Sequence, residues 1–321
     1  MLDPRTIPAL PQPPPRRLFS FSGGGAIGID KHVGAALALE DSGIPLVGDF
    51  VGTSAGAIVA AAAACGIRGN KMAKWVNDIH EEDLIRRRPG SYIPGIRKTF
   101  YDHRPIQRFL NQLFPSSWAG VRHGNELAVV TTVAGTGAER WFGISKSREG
   151  DESIEGSLAD AVRASMTISG VWQYPEILGE WYSDGGTAAN LPLPDYWRNY
   201  DEVYIICADV PRYQRLKNCN AFERLLHNFS LFLQAQFYAT LAEVQSHLAA
   251  PLSISQGRHR VNFLPNINQG GAKVFVLHPS ADCGGTLKFC HEAIEPARAM
   301  VNRQFAEQSF AGRASGHIVD I

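Results

Sequence analysis

A serine framed by two glycines, Gly52-Thr53-Ser54-Ala55-Gly56, stands between an apolar run from Leu46 to Val51 and an alanine-rich stretch that reaches Cys65. That spacing predicts a strand turning directly into a helix with Ser54 at the turn, where a nucleophilic hydroxyl is lifted clear of a sheet edge. Gly52 and Gly56 suit so sharp a turn because neither brings a Cβ to it. A serine hydroxyl attacks well only when a base takes its proton, and the oxyanion it creates needs preorganised donors. Asp184, in Trp181-Tyr182-Ser183-Asp184-Gly185-Gly186, is the candidate base. The candidate donors are the backbone N–H groups of Gly23, Gly24 and Gly25, in the loop Ser22-Gly23-Gly24-Gly25-Ala26-Ile27-Gly28, together with that of Ala55.

Chance alone predicts roughly 0.2 matches to G-x-S-x-G in a chain of this glycine usage, so the surrounding elements must decide. Arg17 to Phe21 reads as a short buried strand that runs into the glycine loop. Ile29, Val33, Ala36, Leu37 and Leu39 then recur at helical spacing up to Gly43. Further strand signals at Leu46 to Val51, Leu127 to Val133, Val203 to Ala208 and Val274 to Leu277 alternate with helical stretches. This is the pattern of an α/β fold with a largely parallel sheet, whose sites lie at the carboxyl ends of strands. Phe222, Leu226, Phe229, Leu233, Phe237, Leu241, Val244 and Leu248 step by three or four and predict a long amphipathic helix. Such a helix covers a sheet, lines an acyl channel or rests on a membrane.

The three pieces, in this order, resemble the patatin-like phospholipase family over Leu18 to about Leu193 and more loosely to about Phe310. The resemblance implies a three-layer α/β/α domain with a nucleophile elbow. It also implies a Ser54–Asp184 dyad, the acid-motif glycines Gly185 and Gly186, and an oxyanion hole in the first glycine loop. The substrate it implies is an acyl ester of a lipid, a glycerophospholipid or lysophospholipid. The chain departs from the family where Gly-Gly-Gly-x-Arg/Lys-Gly is usual: Ile27 holds the basic position. The N–H donors survive that change, while any contribution of a basic side chain is lost.

A chain of 321 residues, 45% of them hydrophobic, can bury one large core. We read a Pro-rich N-terminal tail over 1–17, one catalytic domain over 18–310 and a C-terminal tail over 311–321. Within the domain, 67–126 is richer in charge and turns and reads either as a lid over the site or as an ordinary helical excursion. Its Arg86-Arg87-Arg88 run is a solvated face or a contact for anionic headgroups.

Thirty-one basic and 31 acidic residues cancel, which leaves no electrostatic footprint for nucleic acid. The expected partners are a lipid substrate and a membrane surface touched peripherally. Neither a cofactor nor a metal is expected, since no Cys/His spacing or calcium loop is legible. No signal-peptide core and no stretch of ~18 apolar residues is present, and five widely spaced cysteines suggest reduced thiols. The expectation is a cytoplasmic protein, membrane-associated at its surface, or one exported by a route that needs no cleaved signal.

Two rival readings use the same residues. An α/β-hydrolase triad is permitted by the order Ser54, Asp184, His278, but only one βα unit precedes Ser54, where that fold places several strands. A nucleotide-binding loop is the other, since Gly23, Gly25 and Gly28 fit G-x-G-x-x-G with Asp41 or Asp49 as the ribose acid. That reading leaves Ser54 and Asp184 without a task. A catalytically dead, lipid-binding relative is a third possibility, against which the retention of both residues argues.

Overall fold

A computed structural model of the chain describes residues 13–79, 86–87, 99–114, 117–121, 124–144, 146, 157–208, 221–247, 266–267, 273–277 and 290–314. Eleven strands are present among them: β1 (Arg17–Phe21), β2 (Asp49–Thr53), β3 (Arg86–Arg87), β4 (Tyr101–Asp102), β5 (Glu126–Val133), β6 (Glu139–Gly143), β7 (Glu176–Ile177), β8 (Glu180–Asp184), β9 (Glu202–Ile206), β10 (Asn266–Ile267) and β11 (Lys273–Leu277). The helices are α1 (Gly25–Asp41), α2 (Ala55–Ala64), α3 (Gly69–Asn77), α4 (Arg104–Leu113), α5 (Leu158–Ser165), α6 (Gly186–Ala189), α7 (Ala221–Ser246) and α8 (Ile294–Ala314).

The central sheet runs β10-β11-β9-β1-β2-β5-β8-β7, with β6 also paired to β5. Strands β11, β9, β1, β2 and β5 are mutually parallel, whereas β8 runs antiparallel to β5. Alternate residues feed opposite layers, as a pleated strand requires. Phe19, Phe50, Val129, Tyr204 and Ile206 face the core shared with α1, α2 and α5. Leu18, Val51, Val130, Val203, Ile205 and Val274 face the second core, closed by Phe237, Leu241 and Val244 of α7. The chain is therefore an α/β/α sandwich with a mostly parallel sheet.

Four rings pin the register on one face. Phe275, Tyr204, Phe19 and Phe50 stack across β11, β9, β1 and β2 with centroids 4.9, 5.1 and 5.1 Å apart. A slip of one residue in any of these strands would turn its ring to the opposite layer.

The predicted strand over Leu46 to Val51 begins later than expected. Gly48 has φ 144 and packs against the Arg17 carbonyl, so the chain enters β2 only at Asp49 and reaches the elbow at Thr53. The last helix runs on to Ala314, past the boundary expected at 310. Within 67–126, α3 and α4 bury Met72, Val76, Ile106 and Leu110 in the first core, so these parts belong to the sandwich layer. A lid would have to come from the rest of that segment, and Arg88 lies outside the described residues. The cysteine expectation needs correction: Cys65 and Cys207 are not disulfide-bonded, but Cys290 is in a disulfide.

Candidate active site

β2 ends at Thr53 and α2 begins at Ala55, leaving Ser54 alone to make the turn. Its backbone sits at φ 53, ψ −121, a region a residue with a Cβ enters only under strain. The glycines on either side make the turn possible. A Cβ on Gly52 would come within 2.5 Å of the Gly56 carbonyl, and one on Gly56 within 2.5 Å of the Ser22 carbonyl. Elbow, glycine loop and α2 are thus packed backbone against backbone.

The pairing of β8 with β5 sets Asp184 opposite Thr131, one residue beyond the Thr53–Val130 pair that precedes the elbow. Across that gap the Ser54 Oγ donates to Asp184 Oδ2 at 2.7 Å. The other carboxylate oxygen accepts the Gly186 N–H at 2.8 Å. Asp184 is buried, and desolvation pushes its carboxyl up to about 6 against the opposing pull of the Ser54 and Gly186 hydrogen bonds. A carboxylate of that strength remains ionised at neutral pH yet is far more basic than a solvated aspartate.

Gly24, Gly25 and Ala55 lie at the N-termini of α1 and α2, where the first N–H groups have no intrahelical acceptor and the dipoles favour negative charge. Gly23 differs from the other expected donors. Its N–H is already given to the Asn190 carbonyl at 2.9 Å, so it is not free to stabilise an oxyanion. Its contribution is space, because a Cβ there would collide with Asn190 Oδ1. Ile27 is 8% exposed within α1, so a longer basic side chain here would start from the interior.

Three supports were not legible beforehand. Ser165, at the end of α5, accepts the Ser54 N–H at 2.8 Å and donates to the Val130 carbonyl at 2.5 Å. Thr132 donates its hydroxyl to the Asp184 carbonyl at 2.9 Å. His32 lies 2.7 Å from the Ser22 carbonyl and is held neutral by burial, which lowers it to about 3. A carbonyl can only accept, so Nε2 carries the proton and the imidazole braces the glycine loop. Nothing local marks it, since His32 stands in the polar run Asp30-Lys31-His32 of α1.

Ser165→Ala would leave the Ser54 N–H and the Val130 carbonyl without this partner in the interior. The expected cost is about 1–3 kcal/mol of stability. A fall in kcat of roughly tenfold with little change in KM should accompany it, because the elbow loses a restraint on its geometry. Thermal melts and steady-state kinetics on one preparation check both effects, and Ser165→Thr should recover much of each.

The rival readings turn on His278, Asp41 and Asp49. His278 lies outside the described residues. Among the described histidines, His291 bonds Asp30 and the Ile79 carbonyl, and His247 bonds Arg198. Asp41 is clasped by Arg298 at 2.6 and 2.7 Å, and Asp49 accepts the Tyr200 hydroxyl at 2.5 Å, so both candidate ribose acids are engaged.

Fold and site together define an α/β/α architecture built around a Ser–Asp pair at the carboxyl end of a parallel sheet. The chain belongs to the patatin-like phospholipase family, whose sequence profile matches residues 19–197. It is 28% identical over 184 residues to an uncharacterized NTE family protein of Mycobacterium tuberculosis, and equally to one of Mycobacterium bovis. That alignment covers 56% of this chain and 45% of the relative, so the chain spans about half the length of the curated relatives it matches.

Among solved structures, VipD from Legionella pneumophila superposes with a TM-score of 0.52 at 14% identity, covering 92% of this chain and 67% of that one. The likeness is one of fold. Human GIVD cytosolic phospholipase A2 gives a TM-score of 0.48 at 12% identity, covering 94% of this chain and 62% of its own.

Proposed function

We propose that the protein is a serine acyl hydrolase that cleaves fatty-acyl esters of phospholipids or lysophospholipids through an acyl-Ser54 intermediate. The observation that carries this reading is the 2.7 Å hydrogen bond from the strained Ser54 hydroxyl to a buried Asp184. Membership of the patatin-like family supports the lipid class of the substrate.

In the first half-reaction Ser54 Oγ attacks the ester carbonyl carbon while Asp184 Oδ2 takes the hydroxyl proton. The carbonyl oxygen becomes an oxyanion held by the N–H groups of Gly24, Gly25 and Ala55. Collapse breaks the bond to the alcohol oxygen, which leaves with the proton from Asp184. Water then repeats the sequence: Asp184 takes its proton, hydroxide adds to the acyl carbon, and the fatty acid departs as the proton returns to Ser54. Because Asp184, at the end of β8, already lies within hydrogen-bond reach of Ser54, one carboxylate serves both halves without moving.

The test is fatty-acid release from a panel of diacyl and lysophospholipids by the purified chain, with mass spectrometry of the protein quenched during turnover. A Ser54 peptide heavier by one acyl group is the expected trace. Failure of every acyl ester in the panel, with the protein folded, would overturn the reading.

A further inference from the structure

Among the described residues, two that are not glycine have a positive φ: Ser54 at the elbow and Leu178, also at 53. The second has no part in the chemistry. Leu178 and Gly179, at φ 82, form the two-residue turn between β7 and β8, flanked by the Ile177–Glu180 pair. Such a turn needs positive φ at both central positions, which is why Asn-Gly is its preferred sequence. Leucine is among the poorer residues for the first position, since its Cβ is crowded in the left-handed region. Packing does not explain its presence either, because Leu178 is 75% exposed.

The hairpin's direction supplies a reason. β8 is antiparallel to β5, with Asp184 opposite Thr131 and Tyr182 opposite Val133. The chain from Asp184 back to Leu178 therefore leads outward past the carboxyl ends of β1 and β2, the end that bears Ser54 and the glycine loop. The extended chain from Asp184 back to Glu180 spans about 13 Å, and the two turn residues stand beyond it. Trp181, 44% exposed, lies lower on the same hairpin, opposite Glu176. Glu176 and Glu180 are exposed beside it.

We propose that the Leu178 tip is an interfacial anchor that enters a zwitterionic lipid surface and seats the Ser54 end of the sheet on it. This rests on the acyl-hydrolase reading, in which the substrate resides in such a surface. A narrow projecting apex fits the interior of a lipid layer better than it fits a flat protein face. Leucine at the apex with tryptophan below it matches the descent from headgroup level to acyl chains. Two flanking carboxylates favour a zwitterionic surface over an anionic one, which would repel them.

The experiment compares the full chain with Leu178→Asn on phosphatidylcholine vesicles, by sedimentation for binding and by fatty-acid release for turnover. A soluble short-chain p-nitrophenyl ester serves as the second substrate. Asparagine suits the turn and removes the apolar group. Vesicle binding and vesicle turnover are therefore expected to fall about tenfold. Turnover of the soluble ester should hold, and Tm should rise by roughly 1–3 °C. Leu178→Phe should keep its vesicle binding.

Wild-type binding unchanged in Leu178→Asn, an equal loss on the soluble ester, or tighter binding to anionic vesicles would each overturn the proposal. So would a wild-type dimer that becomes monomeric in Leu178→Asn with vesicle binding intact, since the tip would then join two copies. If vesicle binding behaves as expected while neither ester is cleaved by the wild type, the anchor stands and the hydrolase reading falls.

Discussion

Ser54→Ala is expected to abolish turnover, lowering kcat by at least about 10³-fold, because the chemistry passes through this one oxygen. A fluorophosphonate should label the wild type on the Ser54 peptide and leave the variant unlabelled. Labelling that persists in a folded Ser54→Ala protein would remove Ser54 from the role. The substitution leaves the backbone strain in place, since alanine at φ 53 carries the same Cβ. Ser54→Gly should be equally inactive but more stable than Ser54→Ala, by on the order of 1–2 kcal/mol, because glycine adopts that conformation freely. Thermal melts of the two dead variants thus measure the strain separately from catalysis.

Asp184→Asn should lower turnover by about 10²-fold or more, the usual loss on removing a general base. The shape of the site survives, since the amide oxygen can keep the Gly186 N–H while the amide NH2 donates to the Ser54 oxygen. The wild-type kcat/KM should rise with pH through about 6 and then level, as the buried carboxyl loses its proton. His278→Ala should keep most of the activity. An imidazole base would reverse that result.

The stability effect of Asp184→Asn has the opposite sign. The folded carboxyl titrates near 6 against an ordinary 3.8, so between those values the folded state keeps a proton that the unfolded chain releases. Stability conferred by that proton is present below about pH 4 and is lost as pH rises through 6. At pH 7.5 the native state therefore bears a penalty on the order of 3 kcal/mol for an ionised group in the interior. Asparagine lifts that penalty. Denaturant melts should show Asp184→Asn more stable than wild type at pH 7.5, with the gap closing toward pH 4. A variant less stable at both pH values would mean that the carboxylate's hydrogen bonds outweigh its desolvation.

Much of this site could be read from short stretches of chain. An apolar run followed by Gly-x-Ser-x-Gly and an alanine-rich segment specifies a strand, a turn and a helix through local sterics alone, and the glycine loop before α1 does the same. The periodicity of α7 was equally plain, with Leu233, Phe237, Leu241 and Val244 all reaching the core. The start of β2 was displaced because Gly48 is turned by its contact with Arg17, a neighbour that no local pattern shows.

The sequence by itself determined which residue types are available for acyl transfer and which elements carry them, because turn sterics and helix capping act within a few residues. Tertiary structure decided the rest. Ser54 and Asp184 are 130 positions apart, and their 2.7 Å contact exists because β8 pairs antiparallel with β5. The same pairing buries the carboxyl and so sets its basicity. It also aims Leu178 outward from the Ser54 end, while packing of the glycine loop against Asn190 takes Gly23 out of the donor set. Contacts between distant segments follow from strand order and register, which arise when the whole core closes and a single element cannot encode them.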